Sequence, residues 1–257
     1  MKKMVDFSKF SSIKVGGNFE VDIINSIKDD TCGKVIIGGA NNILLSHNPP
    51  KLAMLGKSFD YIKLDENILE VGAATKSSKI YNFAKINNIG NFEFLKNIPG
   101  TLGGLIKMNA GLCGISISDN LTHVLLKRGW VSRNEIAFAY RKSGIDETIF
   151  GAKFKVAGEF DQKKADEFEL KRSNQPKAPS FGSCFVNPKD NFAGKLIEEV
   201  GLKGYKIGGA MFSDKHANFL INFNNASFDD VINLIELAKK RVFERFGIEL
   251  KNEVVII

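Results

Sequence analysis

The densest chemistry in this chain lies between Asn97 and Gly114, NIPGTLGGLIKMNAGLCG, where glycines at 100, 103, 104, 111 and 114 are interleaved with apolar residues. Glycine has no Cβ, so its backbone can approach a ligand closely. Successive exposed N–H groups make a concave donor surface suited to phosphate. A second cluster, GGANN at Gly38 to Asn42, follows the apolar run Val35-Ile36-Ile37. Two such loops, well separated in sequence, predict one long, bent ligand held at both ends, a nucleotide or dinucleotide cofactor. Taken alone, the GGANN cluster reads equally as a plain β-turn.

Other chemistries are excluded by what the chain lacks. Cys32, Cys113 and Cys184 show no C-x-x-C spacing, and the three histidines are scattered, so neither a disulfide framework nor a metal site is expected. The net charge is +7, but the basic runs Lys163-Lys164 and Lys239-Lys240-Arg241 fall in segments that read as amphipathic helices with solvated faces. Aromatics interleaved with basic residues, the mark of nucleic-acid binding, are missing. An anionic small molecule is the expected partner, and no nucleic acid. No apolar run approaches the ~20 residues of a membrane span. The N-terminus has no apolar stretch of signal-peptide length. A cytoplasmic protein with no membrane partner is expected, as a monomer.

These residues must be positioned by strands and helices. KVIIGG, KLAML, YIKL and ILEVGAA read as short strands and turns. Ser77 or Ser78 opens a helix with Ile80, Phe83, Ala84 and Ile86 on its apolar face, ending near Asn87-Asn88. After the glycine-rich stretch, LTHVLLKRGW and AKFKVAGEF read as strands, with IAFAYRKSG between them as a strand and turn. A helix follows from Asp161 to about Ser173, and QPKAP marks a break. The last third holds a helix near Ala193 to Val200, a strand at Phe219 to Phe223, and a long helix. Ser227 is its N-cap, Asp229-Asp230 lie in its first turn, and Gly247 ends it. Phe228, Val231, Ile235, Ala238 and Val242 share one face. VVII closes the chain as a strand. Helices and strands mixed without βαβ alternation predict an α+β fold with more than one domain.

Four segments in unbroken order carry a resemblance. They are GGANNILL (38–45), FLKNIPGTLGGLIKMNAGLCG (94–114), YRKSG (140–144) with QPKAPSFGSCFVNP (175–188), and GLKGYKIGGAMFSDKHANFLIN (201–222) ahead of IELKNEVVII. From about Ser8 to the C-terminus the chain resembles the UDP-N-acetylenolpyruvoylglucosamine reductase (MurB) family of peptidoglycan synthesis. The resemblance implies an FAD-binding fold of the vanillyl-alcohol-oxidase type with a C-terminal α+β substrate-binding domain. Residues 1–56 and 57–174 would be the two FAD-binding subdomains, and 175–257 the substrate domain with a catalytic final strand.

In such a family NADPH reduces a non-covalently bound FAD. The flavin N5 then delivers hydride to C3 of the enolpyruvyl group of a UDP-sugar, and C2 is protonated. The resemblance assigns Gly38, Gly39, Ala40, Asn41, Asn42, Pro99, Gly100, Thr101, Gly103, Gly104, Asn109, Ala110 and Gly111 to FAD. Arg141 matches the active-site arginine, Ser183 the proton donor and Glu253 the catalytic glutamate. Asn187 and His216 match substrate contacts. On physical grounds an enolate forming beside a carboxylate needs a fixed cation, and a guanidinium grips a carboxylate bidentately. Each residue also has a plainer reading: a surface arginine, a loop serine, an exposed strand-end carboxylate (Glu249 being the nearby alternative), a structural histidine. Cys184 competes with Ser183 as donor because a thiol is the stronger acid. Alternation turns Ser183, Phe185 and Asn187 one way and Cys184 inward.

Two departures stand out. Only the ten residues 144–153 separate Ser143 from Phe154, so the tyrosine-bearing insertion of the family's long form is absent. Leu112-Cys113 stands where the family commonly has an aromatic. A flavin oxidase or dehydrogenase of the same fold, or a catalytically silent nucleotide-binding module, are the competing functions.

Overall fold

Short apolar runs bounded by glycine and asparagine become strands here, and segments with 3.6-residue apolar spacing become helices. The computed structural model describes residues 1–257. The chain opens with β1 (Lys2–Asp6), α1 (Phe7–Phe10) and β2 (Asn18–Ile24), then the short β3 (Val35–Ile36), β4 (Ile43–Leu44) and β5 (Leu52–Leu55). Next come β6 (Ile62–Asp65), β7 (Ile68–Gly72), α2 (Ser77–Ile86), α3 (Leu102–Lys107), β8 (Gly111–Leu112) and β9 (Ile115–Ser116). β10 (Leu121–Leu126), β11 (Gly129–Ser132), β12 (Gly151–Lys155) and α4 (Gln162–Lys171) follow. The last third runs through β13 (Ser180–Ser183), α5 (Ala193–Glu199), β14 (Lys206–Ile207), β15 (Ala210–Phe212), β16 (Phe219–Asn222), α6 (Phe228–Phe246) and β17 (Val255–Ile256). The fold is α+β.

The chain divides into two compact units. One comprises Met1–Lys3, Val21–Gly39 and Lys51–Ser173; the other Met4–Glu20, Ala40–Pro50 and Asn174–Ile257. Residues 1–56 are thus shared between them, and the chain passes from the first unit to the second inside the GGANN loop.

In the first unit, β5 runs parallel to both β2 and β3. A five-stranded antiparallel sheet has the order β11-β10-β12-β7-β6. One face of it, through Leu69, Val71, Val124 and Phe154, packs against α2, α3 and α4. Phe92 and Phe154 meet edge to face at 5.5 Å. Burying such a phenylalanine contributes roughly 1.5–3 kcal/mol. α2 starts at Ser77 as read from sequence, but Ile86 is 82% exposed. Asn88 takes a left-handed conformation (φ 53°) and Ile89 N–H reaches back to the Ala84 carbonyl. That closure ends the helix and buries Ile89 in place of Ile86. Of the strand and turn read in IAFAYRKSG, the turn is present, but the strand is reduced to a single bridge, Ala139 to Lys142.

In the second unit, β13-β16-β15-β14 form an antiparallel sheet, and β17 pairs in parallel with β4. α5 and α6 bury Leu196, Ile197, Val231, Leu234, Ile235 and Val242 against it. Ser227 caps α6: its Oγ accepts Asp230 N–H at 3.1 Å, and the Asp230 carboxylate accepts Ser227 N–H at 2.9 Å and Gly209 N–H at 3.1 Å. Gly247, at φ 67°, ends the helix as expected. Ser227→Ala is expected to cost about 1 kcal/mol, read in a melting scan as a fall of roughly 2–4 °C for a chain of this size.

Candidate active site

In the first unit the glycine-rich stretch is threaded against the start of α2. Ser77 N–H donates to the Gly100 carbonyl, Leu102 N–H to Thr75 and Gly103 N–H to Ala73, each at 2.9 Å. The stretch is not wholly loop. Leu102, Leu105 and Ile106 have helical spacing and are buried, so α3 forms within it. Gly103 lets that helix close on β7's end, since a Cβ there would stand 3.2 Å from the Ala73 side chain. The two loops meet at Gly38, where an added Cβ would fall 2.3 Å from Thr101 Oγ1. A side chain at 38 would force the Thr101 side chain out of its place. A Cβ on Gly111 would lie 2.3 Å from the Ile115 carbonyl oxygen.

Arg141 is held beside this stretch. Ala139 and Lys142 exchange backbone hydrogen bonds at 2.8 and 3.1 Å around the two-residue turn Tyr140-Arg141. Arg141 sits at φ 59°, a left-handed conformation uncommon outside glycine and asparagine. Its Nη1 donates to the Gly111 carbonyl at 3.2 Å, and its guanidinium lies 5.1 Å from the Tyr140 ring centroid. Asn109, also left-handed, donates from Nδ2 to the Ala139 carbonyl at 3.0 Å. Its Oδ1 is a buried acceptor with no protein partner. Arg172, at the end of α4, was not singled out from sequence. Burial first, and then the positive charge of Arg141, pull its pKa down, while Cys113 acts the other way. Its place just before the QPKAP break was the available signal.

In the second unit, Ser183 ends β13 opposite Phe219, after Gly182 at φ 84°. The peptide of Cys184 ties two neighbours: its N–H donates to Asn218 O at 2.7 Å, and its carbonyl accepts Glu253 N–H at 2.9 Å. Glu253 is placed from the other side as well, its carbonyl accepting Asn42 Nδ2 at 2.8 Å. Asn42, read as a cofactor residue, thus has a second task at the start of β4. Asn187 Oδ1 accepts Ala193 N–H at 3.1 Å and so caps α5. His216 is half-buried, its Nδ1 accepting Asn218 N–H at 3.3 Å. Desolvation holds its pKa below the ordinary histidine value. The second unit therefore gathers Ser183, Asn187, His216 and Glu253. The first gathers Gly38, Thr101, Asn109, Gly111 and Arg141.

Simple alternation fails at one point. Cys184 is inward and fully buried, as expected, but Phe185 is fully buried too. Residues 251–253 pair with 184–186 along one edge, Asn218 holds Phe185 at the other, and both Cys184 and Phe185 enter the core of the second unit. Burial pushes the Cys184 thiol up well above its ordinary range. A thiol-specific reagent on the folded protein is expected to titrate exposed Cys32 and Cys113, and Cys184 only after unfolding. Fast modification of all three would contradict this.

The model of the UDP-N-acetylenolpyruvoylglucosamine reductase C-terminal domain matches residues 175–257. A protein of that reductase name from Campylobacter jejuni is 52% identical over 99% of this chain and 100% of its own length. One from Helicobacter pylori is 38% identical, covering 100% of this chain and 99% of its own. The crystal structure of UDP-N-acetylenolpyruvylglucosamine reductase (MurB) from Thermus caldophilus superposes with a TM-score of 0.88 at 28% identity, covering 100% of this chain and 98% of that one. End-to-end likeness of sequence and fold to reductases puts the protein in the class of α+β oxidoreductases. The chain belongs to the UDP-N-acetylenolpyruvoylglucosamine reductase (MurB) family.

Proposed function

We propose that this chain reduces UDP-N-acetylenolpyruvoylglucosamine to UDP-N-acetylmuramate with NADPH and non-covalently bound FAD, in peptidoglycan precursor synthesis. The observation that carries the reading is 52% identity along the full length of a reductase of that name. The residues fit the cofactor. The glycine contact at Gly38 brings two backbone-rich loops together, and the unpartnered Asn109 Oδ1 is an acceptor that a bound N–H group would satisfy. Residues 1–56 and 57–174 would contribute the FAD-binding parts and 175–257 the substrate part, in a monomeric cytoplasmic enzyme. No helix is long and apolar enough to cross a membrane.

When bound, FAD supplies the route by which hydride passes from NADPH to C3 of the enolpyruvyl group. The chain's own work is at the carboxylate and at C2. Arg141 holds the substrate carboxylate and the negative charge that spreads onto it as C3 gains hydride. Ser183 gives its hydroxyl proton to C2 and regains one from water. Glu253 orients the substrate and stabilises the protonation state around C2. Asn187 still has its Nδ2 for the substrate, its Oδ1 being used on α5. His216 offers Nε2–H, because its Nδ1 is occupied as an acceptor. The carbon–carbon double bond takes up one hydride and one proton, and NADPH is oxidised to NADP⁺.

Spectroscopy tests the reading. Purified protein should be yellow, bleach with NADPH, and regain colour faster with the enolpyruvyl sugar nucleotide than with oxygen. Acid or heat precipitation should release all colour to the supernatant. A protein that takes up no flavin, or that only oxygen re-oxidises, would overturn it.

A further inference from the structure

The antiparallel ladder between β13 and β16 ends at the pair Ser183–Phe219. One step further, Phe185 should meet residue 217, but the chain has already turned away into the 213–218 loop that joins β15 to β16. Phe185 keeps its rung all the same. Its N–H donates to Asn218 Oδ1 at 3.0 Å, and its carbonyl accepts Asn218 Nδ2 at 2.8 Å. A primary amide has the same donor and acceptor as a peptide, so the Asn218 side chain stands in for the missing stretch of strand. It is 4% exposed, where losing either bond leaves a buried strand group unsatisfied.

The same residue reaches the substrate histidine and the proton donor's neighbour. Asn218 N–H donates to His216 Nδ1 at 3.3 Å, which leaves the ring's proton on Nε2. Asn218 O accepts Cys184 N–H at 2.7 Å, directly after Ser183. The loop is closed on itself by Ser213 Oγ, which accepts Lys215 N–H at 3.1 Å and His216 N–H at 3.4 Å, and by Phe219 N–H on His216 O at 2.9 Å. Its connection to the serine strand runs through Asn218.

We propose that Asn218 is a positioning residue for the substrate half of the reaction, its carboxamide acting as a strand rung that fixes His216, as an Nε2–H donor, relative to Ser183. No other side chain reproduces it. Aspartate keeps the acceptor and loses the donor, glutamine is one methylene too long, and alanine removes both. The downward shift of the His216 pKa agrees with this placement. Desolvation disfavours the imidazolium, and Lys203 repels it.

The proposal rests on the reading of Ser183 and His216 as substrate-facing, and its test separates the two. In wild type, ¹⁵N spectra of labelled histidine, with His216→Gln as the assignment control, should show His216 protonated at Nε2 and bare at Nδ1, titrating below the ordinary histidine value. Phe185 N–H should be as protected from hydrogen exchange as the β16 amides. In Asn218→Ala and Asn218→Asp the His216 signals should shift from that single tautomer. KM for the sugar nucleotide should rise about tenfold or more, while flavin reduction by NADPH stays within about twofold. A folded Asn218→Ala that keeps both the tautomer and KM overturns the proposal. If neither variant folds, a bare Nε2 or a rapidly exchanging Phe185 amide in wild type overturns it. Wild type that the sugar nucleotide cannot re-oxidise defeats the activity reading alone, because the tautomer and exchange arms need no turnover.

Discussion

Ser183→Ala is expected to leave flavin reduction by NADPH nearly intact and to slow re-oxidation by the sugar nucleotide by about 10²–10⁴-fold, the usual cost of a lost general acid. The first half-reaction places no proton on C2, so it does not call on the hydroxyl. The second cannot finish without one. Ser183→Cys should recover part of the rate, since a thiol also donates. The competing donor is Cys184, and its placement argues against it. Its side chain is fully buried among Phe181, Leu196 and Phe212, and burial raises its pKa, which weakens it as an acid. Cys184→Ala should therefore slow neither half-reaction directly. Stopped-flow traces of the two variants decide the matter. Fast re-oxidation in Ser183→Ala together with slow re-oxidation in Cys184→Ala would make the thiol the donor.

How much of this was legible in the residues follows from which forces are local. The caps were legible because they depend on a few adjacent residues. Ser227, Asp161 and Gly247 were read as boundaries and act as such. The α+β class was legible from mixed periodicities. Ile86 misled because apolar spacing says which face is inward but not where a left-handed asparagine will stop the helix. α3 was hidden by its own glycines, whose low helix propensity is overridden by the close approach that Gly103 allows. Tertiary roles were harder still. Arg172 beside Arg141, Asn42 on the Glu253 carbonyl and Asn218 as a rung all join residues far apart in sequence, and beyond the QPKAP break after Arg172 nothing in their neighbours announces them. The candidate roles of Arg141, Ser183 and Glu253 came from resemblance. Their residue types alone would equally have suited a surface.

Arg141 gives the sharpest separation of activity from stability. Arg141→Lys is expected to lower the rate of re-oxidation by about 10²–10³, the cost of removing a charge-stabilising donor from a developing anion. Lysine keeps the charge but not the planar fork that grips a carboxylate bidentately. Arg141→Gly removes the charge entirely and should be slower again. Its effect on folding is different in kind. At φ 59° an L-residue bears roughly 1–2 kcal/mol that glycine does not. Against this stand the bond to the Gly111 carbonyl and the stacking on Tyr140, each contributing about 1 kcal/mol. Relief of the strained backbone offsets part of what such contacts give, so Arg141→Gly should lose far more of its oxidative half-reaction than of its stability. Such a result identifies a residue kept in a strained turn for its chemistry. A large fall in melting temperature with re-oxidation merely scaled by the folded fraction would make Arg141 a structural clasp on the glycine-rich stretch and remove it from the proposed mechanism.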